Sequence, residues 1–213
     1  MPRAPRTQPR KAAQQDRSRT TVDAVLRATA RILVREGYDR ASTNKIALAA
    51  GVSIGSLYQY FPSKEALVAA LLDRHCAEVL AVLAESAVRY AFSPVPVAVR
   101  GSIEAQLRAQ RIAPALHRVL FEQVPRIGRL DHLAALDRRS AEMVKGYLDA
   151  HRDELRVRDT ELAAMFVVKT VVALTHHAVL GSPEALDEAR IVEEISDVVV
   201  RYLARDPAER REP

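Results

Sequence analysis

Between Ser42 and Pro62 the chain has room for two short helices joined by a tight turn, and for little else. Ser42 or Thr43 can open a helix that runs to Ala50, and Gly51 ends it, because a residue at ease with positive φ is needed there. Ser53 caps the next helix, which must finish before Pro62, since the residue ahead of a proline is pushed out of the helical region. Ile46, Val52 and Leu57 then point inward, and Ala47 is small enough for two helix backbones to approach. This spacing is that of a helix-turn-helix, whose second helix leaves one face free for a DNA major groove.

The flanking sequence supplies the rest of an all-helical fold. Thr20 can cap a helix whose stripe is Val22, Val25, Leu26, Thr29, Ile32 and Leu33, with Gly37 as its expected stop. Ser63 opens a long fourth helix carrying Leu67, Leu71, Leu72, Val79, Leu80 and Leu83. The segment Tyr90–Pro96 interrupts the pattern. Beyond it the spacing predicts helices over 97–111, 114–122, 130–151, 160–180 and 187–204, punctuated by Pro114, Pro125, Gly181 and Pro183. Glycine is scarce, at 7 of 213 residues, and no alternating strand pattern of useful length occurs. The expectation is about nine helices in three parts: a disordered basic arm over 1–19, a DNA-binding unit over 20–67, and a larger bundle over 68–206.

Charge is placed unevenly. Residues 1–19 hold six Lys/Arg against one Asp, residues 20–67 net +2, and the remaining 146 residues net −2. A positive excess confined to the N-terminal third suits a polyanionic partner there, although a solvated tail shows the same bias. The single cysteine, Cys76, excludes an intramolecular disulfide framework. The first residues lack the apolar core of a signal peptide. Leu162–Leu180 is apolar, but Lys169, Thr170, Thr175, His176 and His177 interrupt it, so a buried helix is expected rather than a membrane span, and a cytoplasmic protein. Motifs for hydrolysis, phosphate loops, dinucleotide binding and zinc ligation are absent, so neither an enzyme nor a metal or other cofactor is expected.

The string GYDRASTNKIALAAGVSIGSLYQYFPSKEALV (37–68) strongly resembles the DNA-binding domain of the TetR family of repressors, and the match extends over about residues 20–68. The resemblance implies double-stranded DNA as partner, a homodimer, and a small-molecule effector. Matched position by position, Thr43 and Lys64 correspond to phosphate contacts, and Asn44 to a position that reaches a base or a phosphate. Ser53, Ile54, Gly55 and Ser56 correspond to the leading edge of the recognition helix, and Tyr58 and Tyr60 to aromatic contacts, with Phe61 the better core candidate. Ile54 and Gly55 bring no base-reading donor, so Asn44, Gln59, methyl contacts or DNA shape must carry part of the specificity.

The same resemblance places a pocket among the fourth to eighth helices, with Tyr90, Phe92, Leu107, His117, Phe121, Met143, Tyr147 and Phe166 as candidate walls. Their modest polarity points to an apolar or aromatic effector. It also assigns the dimer seam to the last two helices, through Val172, His176, Val179, Ile195, Val199 and Tyr202. His176 and His177 lie about 100° apart on a helix and cannot hold one metal between them. His75 and Cys76 are expected to divide between surface and core. The competing reading is an architectural DNA-binding protein with no effector, whose bundle only dimerises.

Overall fold

The structure is a computed structural model, and it describes residues 10–123, 130–181 and 187–205. Nine α-helices occur among them: α1 Arg10–Arg40, α2 Thr43–Ala50, α3 Ile54–Tyr60, α4 Lys64–Arg89, α5 Val95–Gln110, α6 Pro114–Gln123, α7 Leu130–Ala150, α8 Thr160–Gly181 and α9 Glu188–Leu203. Chain contacts divide into two units, residues 1–72 and 73–213, with the division inside α4. The expected boundary after residue 67 therefore falls five residues early.

In the first unit α1 packs on α2 and α2 on α3. Val25, Leu26, Ile32 and Leu33 are buried as their spacing requires, with Ile46, Ala47, Leu57 and Phe61. Thr29 is buried among them because its hydroxyl donates to the Val25 carbonyl, 2.8 Å away. One expectation fails in α1. The helix begins at Arg10 rather than near Thr20, so residues 10–19 of the expected arm are helical; Lys11, Ala12, Ala13, Gln14 and Gln15 are all good helix formers. Residues 1–9 lie outside the described residues. Gly37 leaves the helical region (φ 77°, ψ 172°), so the helix breaks there as expected, and a further short turn runs to Arg40.

The turn between α2 and α3 is built by its caps. Ser42 accepts from the Lys45 amide at the start of α2, and Gly51 (φ 69°, ψ 30°) closes its end. The Gly51 and Val52 amides donate back to Leu48 and Ala47, so the last carbonyls of α2 are satisfied within the turn. Ser53 caps α3 by accepting from the Ser56 amide at 3.0 Å. Phe61 leaves α3 in an extended conformation (φ −134°, ψ 108°), as the following proline demands.

In the second unit α8 packs against α5, α7 and α9, and α9 against α5. Their shared core holds Val95, Val99, Ile103 and Leu107 of α5, Leu148 of α7, Ala163, Ala164 and Val171 of α8, and Val192, Ile195, Val199 and Leu203 of α9. Helix α5 starts two residues before the expected position, because Pro96 sits in its first turn, where no amide donor is needed. Thr160–Val179 of α8 is long and apolar enough to cross a membrane by length and composition. Its Ala163, Ala164, Val168 and Val171 are instead buried in the bundle. The end of α9 is tied to the α7–α8 connection: Leu155 and Ala204 form an antiparallel bridge, and the Arg205 amide donates to the Glu154 carbonyl at 2.9 Å.

Candidate nucleic-acid interface and cavity

Helix α3 buries Leu57 completely and turns its other side chains outward. Ser53, Ile54, Gly55, Tyr58, Gln59 and Tyr60 are exposed, with Tyr58 at 49%, and Ser56 is half-buried. On α2, Asn44 is exposed and Thr43 half-buried. The Thr43 and Tyr58 hydroxyls stand 3.1 Å apart, so one hydrogen bond links the start of α2 to the outer face of α3. Ser53 and Ser56 are similarly paired, hydroxyl to hydroxyl, at 2.8 Å. Nothing lies nearer than 4.0 Å to the place a Cβ would occupy on Gly55. The face is thus polar, convex and crossed by two aromatic rings.

Lys64 is held more firmly than the sequence suggested. Its ammonium donates to the Tyr38 carbonyl at 3.0 Å and lies 4.0 Å from the centre of the Tyr38 ring. The Tyr38 hydroxyl in turn donates to Glu65 at 2.8 Å. An ammonium carries three donors, so Lys64 keeps others for an outside acceptor. The α1–α2 junction is pinned by Lys45, which donates to Glu36 (2.6 Å) and to the Arg40 carbonyl (3.0 Å). Hydrogen bonds from Lys45 and Arg35 hold the Glu36 carboxyl down at about 2.

In the second unit α4, α5, α7, α8 and α9 line a partly open cavity of about 120 Å³. Of the eight expected wall residues, Tyr90, Met143 and Tyr147 line it. Phe92 is 98% exposed on the turn after α4, and Leu107, 1% exposed, is core. Phe166 is half-exposed near the Tyr202 ring. His117 and Phe121 belong to a separate cluster. The walls that sequence reasoning missed are mostly small: Ser86, Ala87, Ala98, Ser102, Gln106 and Ser140, with valines of α8. Gly101 has a special place here. A Cβ on it would fall 2.1 Å from the Tyr90 ring, so only glycine lets that ring come this close to α5.

The separate cluster joins histidines from three helices. His75 Nε2 is 2.8 Å from His117 Nδ1, and His117 Nε2 is 2.6 Å from His176 Nε2. Phe121 stacks on His117, with ring centres 4.2 Å apart. Burial, reinforced by His176 and His75, pushes His117 down to about 3, and burial lowers His75 and His176 as well. His75 and Cys76 are both buried, against the expected division, because His75 turns to His117. Burial, then Asp73 and Asp137, lifts the Cys76 thiol to about 11, leaving it in the inert protonated form. No group of three or more His, Cys, Asp or Glu with metal-holding geometry occurs among the described residues.

The expected dimer seam needs correction. Ile195 and Val199 are buried within this chain's own core, and Val179 packs against that core. Val172 lines the cavity and His176 faces His117. Only Tyr202 is exposed as expected. The apolar side chains that α8 and α9 leave uncovered are Leu162, Met165, Phe166, Leu174, Val198 and Tyr202. Helix α9 presents Val198 and Tyr202 outward, one step round the helix from the buried Ile195/Val199 stripe.

The comparisons with known proteins agree with this architecture. Residues 25–71 match the family model described as bacterial regulatory proteins, tetR family, and residues 94–203 match that of the tetracyclin repressor-like C-terminal domain. A TetR family transcription regulator from Marinobacter aquaeolei VT8 superposes with a TM-score of 0.65 at 22% identity, covering 90% of this chain and 100% of that one. SmeT, the repressor of the Stenotrophomonas maltophilia multidrug efflux pump SmeDEF, gives 0.68 at 22% identity over 87% and 91%. Among curated proteins, the nucleoid occlusion factor SlmA of Haemophilus ducreyi is 49% identical over 39 residues, 18% of this chain. The matched stretch spans only 19% of that relative's length.

Proposed function

The chain belongs to the TetR family of transcriptional regulators, with a DNA-binding N-terminal domain, and from that premise we propose that it is a dimeric, cytoplasmic repressor that leaves a palindromic operator when a small molecule enters the cavity. Its family and fold are those of transcription regulators rather than enzymes. The observation that carries the reading is the pairing of an outward, polar α3 face with a partly open, mainly apolar cavity elsewhere in the same chain.

Thr43, Lys64 and the first turn of α2 meet phosphates, while Asn44, Gln59 and the two tyrosines meet bases or the sugar–phosphate edge. Two copies join through the uncovered α8–α9 face, which sets the spacing of their recognition helices to that of two half-sites. Helix α4 carries Lys64 in its first turn and Ser86 and Ala87 on the cavity wall. A ligand that displaces the wall shifts α4 as a packed unit and spoils that spacing. By linkage, DNA then weakens the ligand by the factor the ligand weakens DNA; a hundredfold effect needs about 2.7 kcal/mol.

The test is operator affinity, measured by fluorescence anisotropy on a protected palindrome, with and without a cavity ligand. Loss of binding with ligand supports release. Affinity unchanged by every ligand that enters the cavity favours the architectural alternative.

A further inference from the structure

None of the twenty residues that line the cavity is an Asp, Glu, Lys, Arg or His. An ionised ligand would therefore give up its water with no counter-charge in return. The polar groups on the wall are few, and three of them are already engaged. Ser86 donates to the Gly101 carbonyl (3.2 Å), Ser102 to Ala98 (2.8 Å) and Tyr147 to Ser93 (2.7 Å). Among the described residues the Tyr90 hydroxyl has no such bond, and neither do Gln106 and Ser140, which are the two buried ones. Each is only 8% exposed, each lines the cavity, and neither side chain is hydrogen-bonded to another of the described residues. Neither has a fully buried unpaired polar atom, so each keeps hydrogen-bonding capacity open to the cavity. Size supplies the third restriction. An apolar cavity of about 150 Å³ binds benzene, so 120 Å³ admits one ring or a short aliphatic chain.

We infer that the cavity is a site for a small uncharged molecule, one ring or an equivalent chain in size, whose single hydroxyl or carbonyl oxygen pairs with Gln106 and Ser140. This rests on the reading of the cavity as the effector site, and it narrows that effector to neutral alcohols, phenols, ketones or esters. Carboxylates and ammonium compounds are excluded by the uncharged wall.

The test uses the full chain without DNA and three one-ring probes: benzyl alcohol, toluene and benzoate at pH 7.5. Of the three methionines, Met143 lines the cavity and Met165 is exposed on α8, so methyl-labelled methionine NMR locates the binding. Benzyl alcohol should shift the Met143 methyl and not that of Met165, and benzoate should bind at least about tenfold more weakly. In Gln106→Leu the ratio of benzyl alcohol to toluene affinity should fall about tenfold, and in Ser140→Ala about threefold. Because the ratio is internal to each variant, a general loosening of the cavity cancels.

Benzoate binding as tightly as benzyl alcohol overturns the charge restriction. A ratio unchanged in both variants overturns the polar pairing. A Met143 methyl that responds to none of the probes overturns the site. Binding as expected, without release of operator DNA, leaves this inference standing and refutes the repressor mechanism instead.

Discussion

His117 Nε2 stands 2.6 Å from His176 Nε2, so the two facing nitrogens share one proton between them. The other side of the His117 ring is closed by His75 at 2.8 Å. The folded chain therefore holds these imidazoles neutral well below their ordinary range, while an unfolded chain protonates them near 6.5. Glu78, facing His75, and Asp137, facing His176, act in the opposite sense without reversing it.

The sign of the pH dependence follows. Below about 6.5 the unfolded state binds more protons, so stability is complete above that pH and falls as pH drops toward the folded values. For His117 alone, the loss between pH 6.5 and 5 amounts to about 2 kcal/mol. Urea unfolding at pH 7.5, 6 and 5 should show this decline, and His117→Leu should flatten it. An unchanged slope in the variant would place the proton uptake elsewhere.

Gly101→Ala should drive the Tyr90 ring off α5, since the new methyl would overlap it at 2.1 Å. A cost of about 1–3 kcal/mol is expected in chemical denaturation, together with altered binding in the cavity that Tyr90 lines. A fully stable variant with unchanged ligand affinity would mean that the ring moves aside freely.

Tyr58→Phe removes the hydroxyl that meets Thr43 at 3.1 Å on an exposed face. Operator affinity should fall about three- to tenfold, with thermal stability nearly unchanged. Lys64→Ala should weaken all DNA sequences alike and lower the salt slope by roughly one unit. Its contacts with Tyr38 also add a small loss of stability. Relaxed preference at a single base pair on Lys64→Ala would instead make it a base reader.

The seam is tested by contrast. Phe166→Glu or Val198→Glu places a charge on an exposed apolar face and should yield folded monomers with poor operator affinity in sedimentation and binding assays. Ile195→Glu buries an unpaired charge in the chain's own core and should unfold it, at a cost of several kcal/mol. Folded dimers from both exposed-face variants would move the interface off α8 and α9.

The helices were legible because their signals are local. Ser42, Gly51, Ser53 and Pro62 each act within a turn of their own position, and α2 and α3 fall within a residue of where those signals place them. The outward face of α3 followed from the same spacing. What stayed hidden depends on rotation about a helix axis and on partners far away in sequence. Helix α8 is apolar nearly all round, so its pattern does not say which side meets the core, and most residues expected at a seam turn out to face this chain's own interior. The His75–His117–His176 chain spans 101 residues, bringing together three helices whose pairing no short spacing reveals. Cavity walls were sought among large aromatic side chains, whereas small residues such as Ala87, Ala98 and Ser102 are what leave room.

Gly55 is surrounded by open space at the leading edge of α3, beyond reach of everything but the Ser53 hydroxyl at 4.0 Å. Its backbone is helical and its φ is not positive, so any side chain is tolerated there, and alanine would even firm the helix by roughly 0.5–1 kcal/mol. The fold thus places no selection on this codon. On the proposed reading, a new side chain at residue 55 would meet DNA directly, so the sequence bound would change there while the scaffold stays as it is.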